Sequence, residues 1–106
     1  MTISLYDVSV RSFIQTLTGT AGYLDKAAKH FEAAGKDPNS VLDLRLFDDM
    51  LPFKFQVLAV AHHSMGAIEG CRAGVFNPPP PKPGVDYKGL QGVVADALAG
   101  LKGLSE

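Results

Sequence analysis

Apolar residues recur along the first third of the chain at Tyr6, Val10, Phe13, Leu17, Ala21, Leu24, Ala28 and Phe31. Steps of four and three keep all eight on one stripe of an α-helix, while Asp7, Arg11, Gln15, Thr18, Asp25, Lys26 and Lys29 fall opposite. The pattern predicts a long helix over about 6–34. Gly35 stands where a glycine stops a helix, with Pro38 close behind. Residues 35–50 read as a wrapping connection with one helical turn, built on Asp37, Pro38, Asn39 and Ser40 and a short apolar run, Val41, Leu42, Leu44, Leu46 and Phe47. Asp48 and Asp49 offer cap oxygens ahead of Pro52, which suits a first helical turn because its missing N–H needs no partner there.

A second helix is expected over about 51–73. Phe53, Val57, Val60, Ser64, Ala67, Ile68 and Cys71 share about a third of its circumference at roughly 100° per residue. His62 points away from that stripe and His63 lies at its flank, aimed at an interhelical crevice. Phe55, Leu58 and Met65 occupy the opposite face, so this helix is apolar nearly all round. Asn77 to Gly84, NPPPPKPG, forms a polyproline spacer, because each proline removes an amide donor and restricts the residue before it. It serves as a stiff tether, and it could dock in an aromatic-lined groove. A third helix follows over about 87–103, with Tyr87, Leu90, Val94, Ala97, Leu98 and Leu101 on one stripe. Gly89, Gly92, Gly100 and Gly103 make its helicity depend on packing.

The fold expected is therefore all-α, an up-and-down bundle of three helices in one domain of 106 residues. Two of its apolar faces look too broad for three helices, and a homodimer is the simplest way to cover the surplus. With 46% apolar residues and a net charge of −1, the chain has no basic stripe to hold nucleic acid. It shows neither a secretory signal nor a membrane-length apolar run, so a cytoplasmic location is expected. Cys71 is the one cysteine; on the apolar stripe it reads as a small buried hydrophobe.

The SLYDVSV start paired with DMLPFKFQV at its distance resembles the family called domain of unknown function nineteen ninety-three, a branch of the DinB/YfiT-like helical bundles. The resemblance spans residues 1 to about 101. It implies a four-helix bundle with a long crossover, of which this chain carries the equivalents of the first three helices. The wider superfamily includes metal-dependent enzymes, among them thiol transferases and hydrolase-like members, with a histidine-rich site. Members of the family carry an acidic residue and a lysine where His62 and Met65 stand, and no late histidine pair occurs here.

A zinc or nickel site needs about three converging ligands and an open position. His62 and His63 are the candidate metal ligands, with Glu69, Asp48 or Asp49, or a second chain, to complete the set. Adjacent helical residues diverge by about 100°, so the doublet is poorly placed to chelate one ion. His30 falls on the polar side of the first helix. No G-x-S-x-G elbow or glycine-rich phosphate loop occurs. The reading favoured by the residues is a helical-bundle domain with no catalytic site, self-associating; the alternative is a metal-dependent enzyme of the DinB/YfiT type.

Overall fold

In a computed structural model, residues 2–105 are described, and every regular element among them is helical. The elements are α1 (Leu5–Val8), α2 (Val10–Ala33), a 3₁₀ turn (Pro38–Val41), α3 (Phe53–His62), α4 (Met65–Ala73) and α5 (Tyr87–Lys102). No described helix is long and apolar enough to cross a membrane.

Both long helical stretches are broken at a serine. Ser9 separates α1 from α2 at φ −117°, ψ −74°, and Ser64 separates α3 from α4 at φ −111°, ψ −86°. Each serine hydroxyl donates four residues back, Ser9 to the Leu5 carbonyl at 2.6 Å and Ser64 to the Val60 carbonyl at 2.7 Å. Such back-bonding competes with the helical ladder and bends it. The continuous helix expected over 51–73 is thus two helices; apolar periodicity runs through the bend and does not register it.

At its other end α2 closes as anticipated. Gly35 adopts φ +70°, its N–H donates to Glu32 and that of Lys36 to Phe31, which satisfies two terminal carbonyls. The start of α3 corrects the sequence reading. Asp48 and Asp49 do not cap it: Pro52 is the N-cap and no side chain bonds there. The free amides of the first turn instead reach back to the connection, Phe53 N–H to the Leu44 carbonyl at 2.8 Å and Lys54 N–H to Leu42 at 3.0 Å. α5 is capped twice, by Asp86 Oδ1 on the Gly89 amide and by Asn39 Oδ1 on the Tyr87 amide, both at 2.7 Å.

The helix directions differ from an up-and-down order. Tyr6 donates to the Leu104 carbonyl at 3.4 Å and Tyr87 to the Leu24 carbonyl at 2.6 Å, so α2 and α5 run antiparallel. Phe53 shares a groove with Tyr87, Ala61 and His62 face Asp96 and Ala97, and Met65 lies on Gly100. α3 and α4 therefore run parallel to α5, and residues 75–86 carry the chain back alongside them. At about 3.1 Å per residue that stretch spans at most roughly 37 Å, less what the turn closed by the Val85 N–H on the Lys82 carbonyl takes up. A helix over 53–73 needs about 31 Å at ~1.5 Å per residue, so the proline-rich run is long enough for the return.

The core is the meeting of these stripes. Leu17, Leu24, Val57, Leu90, Val94 and Leu101 are fully buried, with Val10, Ala61, Tyr87 and Ala97 beside them. Two buried hydroxyls are satisfied by carbonyls four residues back, Thr20 on Thr16 and Ser64 on Val60. No described buried side-chain oxygen or nitrogen lacks a partner. The broad apolar faces are largely covered: of the large hydrophobic side chains exposed among the described residues, Tyr23 alone sits on a long helix. The others belong to the N-terminal segment, the connection and the residues following α4. Cys71 reverses its expectation, being exposed, because the bend at Ser64 rotates α4 until none of its residues is buried.

Candidate functional site

The histidine doublet sits at the last turn of α3, where the helix is about to bend. Contrary to the helical-wheel reading, His62 is the half-buried ring on a crevice and His63 is exposed. The returning crossover creates that crevice. His62 Nε2 lies 2.6 Å from the Asn77 carbonyl, and its ring stacks on Phe76 with centroids 4.7 Å apart. A carbonyl can only accept, so we assign the proton to Nε2 and the lone pair to Nδ1. His63 carries the reverse tautomer by the same argument, since its Nδ1 lies 3.0 Å from the Ala59 carbonyl. The two rings are perpendicular, with centroids 5.4 Å apart.

Gly66 and Gly70 let this arrangement close. A Cβ on Gly66 would stand 3.2 Å from His62 Nδ1. One on Gly70 would stand 2.8 Å from the Phe76 ring, closer than real Cβ atoms approach, and a tight 3.1 Å from the Val75 carbonyl. The crevice holds about 340 Å³ and is bordered by Leu58, His62, Met65, Glu69, Lys82 and Asp96. Glu69, Lys82 and Asp96 bring charges of both signs to its rim. Among the described residues, no three histidine, cysteine, aspartate or glutamate side chains gather where they could hold one metal ion. Asp48 and Asp49 lie on the connection, not on this crevice.

A second concavity, of about 440 Å³, lies beside the C-terminal part of α2 and was missed by sequence reasoning. Tyr23, Phe31, Leu44, Arg45, Leu46 and Phe53 form most of its wall, with Tyr87 at its floor. Burial raises the Tyr23 phenol above its ordinary value. Tyr87 is also raised, first by burial and then by the nearby Tyr23 and Asp25. The signal available in the sequence was the apolar run Val41 to Phe47, too rich for a solvated loop.

The profile of the family described as domain of unknown function DUF1993 matches residues 5–106. The chain belongs to the DUF1993 family. No curated protein and no solved structure matches it. For a DUF1993 chain, family membership brings no reaction with it, so chemistry has to be argued from the side chains themselves.

Proposed function

We propose that this DUF1993 chain is a helical-bundle domain of the DinB-like kind, without a catalytic site, that self-associates through α1. The observation that carries this is the outward side of the N-terminal segment, where Ile3, Leu5 and Val8 are 69%, 81% and 58% exposed. Leu5 and Val8 are three apart on one helical face, so their side chains stand together. The inward side is held in place by the Tyr6 hydroxyl on the Leu104 carbonyl at 3.4 Å. An apolar strip on a fixed support is the geometry of a self-complementary contact, and a two-fold dimer doubles it. The DinB-like reading draws support from the long crossover, the feature that the resemblance implies.

Sedimentation velocity at micromolar concentration is the test. A dimer that a Leu5→Asp, Val8→Asp double variant converts to monomer is the expected result; a monomer in the parent protein overturns the reading.

The metal-dependent alternative is favoured by one observation, the lone pairs left on His62 Nδ1 and His63 Nε2. Those two nitrogens belong to perpendicular rings, and the hydrogen bonds on the opposite nitrogens hold the rings as they are. Zinc or nickel would need a further donor, such as Glu69 on the same crevice. Metal analysis of untagged protein decides it: less than about a tenth of an equivalent rules the alternative out, and near-stoichiometric metal lost in His63→Ala revives it.

A further inference from the structure

We propose that the groove between α2, the connection and the start of α3 binds a small apolar carboxylate, its hydrocarbon on Phe31, Phe53 and Leu44 and its anionic end on Arg45. The volume of about 440 Å³ falls in the range of small-molecule sites. Its wall is aromatic and aliphatic except for Arg45, the one charged side chain lining it. That guanidinium donates one bond, to the Asp48 carbonyl at 3.3 Å, and pairs with no carboxylate among the described residues. Its remaining N–H groups form the fork that a carboxylate accepts in two parallel bonds. The acids beside it in the chain do not compete for it. Asp43 is paired with Lys54 at 2.8 Å, and Asp48 and Asp49 are absent from the wall.

The wall is also preformed. Leu44 is fixed through the Phe53 amide, and Tyr87 through the Leu24 carbonyl and the Asn39 side chain. Leu46, 91% exposed, and Tyr23, 47% exposed, stand at the mouth, where a bound hydrocarbon would cover them.

Decanoate and decan-1-ol, below their aggregation limits, provide the test. Two of the three tyrosines border the groove and the chain has no tryptophan, so tyrosine fluorescence reports occupancy. Saturable decanoate binding at least about tenfold tighter than decanol is expected, the size of one charge-assisted hydrogen bond. Arg45→Gln should bring the two ligands level, and Leu44→Asp should weaken both. Equal affinities in the parent protein, an unaltered preference in Arg45→Gln, or no saturable binding overturns the proposal. The Leu5→Asp, Val8→Asp variant should still bind decanoate. α1 lies at the far end of α5 from this groove, so failure of self-association and failure of binding are separately visible.

Discussion

α2 and α4 contain apolar residues in similar measure and meet opposite fates. α2 places Val10, Leu17, Thr20 and Leu24 out of water along 24 residues, whereas α4, nine residues long, buries none. The difference is one of register. The stripe of α2 stays in phase with that of α5 over several turns, so each further turn adds buried contact that offsets its own ordering cost. α4 starts after a bend that changes its phase, packs on the core only through half-buried side chains such as Met65 and Ile68, and turns Cys71 to solvent. Apolar content alone therefore says little about where stability resides.

The sharpest test of that contrast is a truncation on each side of it. Leu90→Ala, in the α2–α5 core, should cost about 2–5 kcal/mol, a large part of the ~5–15 kcal/mol expected for a domain of this size. Cys71→Ala, on the exposed α4, should stay within about 0.5 kcal/mol. Urea unfolding of both variants checks this, and equal losses would break the comparison.

Tyr87→Phe comes next, because it removes the phenol that ties the start of α5 to α2. A loss of about 0.5–1.5 kcal/mol is expected for the bond to the Leu24 carbonyl. The same variant has a pH signature. The folded phenol is raised above its unfolded value near 10, so the unfolded state releases its proton first. Stability is complete below about pH 10 and declines as pH climbs from there towards the folded value. Thermal melts at pH 8 to 11 should show a shallower alkaline decline in Tyr87→Phe than in the parent.

Paired glycine substitutions probe the two regions more gently. Gly22 of α2 has open space where a Cβ would go, so Gly22→Ala should stabilise by about 0.5–1 kcal/mol. Gly70→Ala has the same helix benefit, but its Cβ meets the Phe76 ring and the Val75 carbonyl; it should be neutral or destabilising and should loosen the His62–Asn77 tie. The smallest effect expected is at that tie. His62→Ala should leave the Tm within a few degrees while increasing amide exchange in residues 75–80, since it severs the crossover from α3 without touching the core.

The long elements were legible in the residues because helix periodicity is local. A stripe at steps of three and four, a glycine at the end and a proline beyond suffice for α2. The stripe from Tyr87 to Leu101 does the same for α5, whose observed bounds, Tyr87–Lys102, lie within a residue of those expected. The bend at Ser64 was not legible, because a serine that bonds back to its own helix has the same spacing as one that faces out. The histidine doublet was misjudged for the same reason. A helical wheel ranks faces against an idealised neighbour, and the neighbour of His62 turned out to be the crossover, not another helix.

Sequence by itself determined which stretches are helical and where α2 and α5 end, for each depends on dihedral preferences and spacing within a few residues. Tertiary structure alone decided that α3 and α4 lie parallel to α5. It also decided that Leu42 and Leu44, not Asp48 and Asp49, complete the start of α3, and that Arg45 stands in an apolar wall. Those outcomes depend on which distant surfaces come together, and contacts between residues far apart in the chain leave no periodic trace along it.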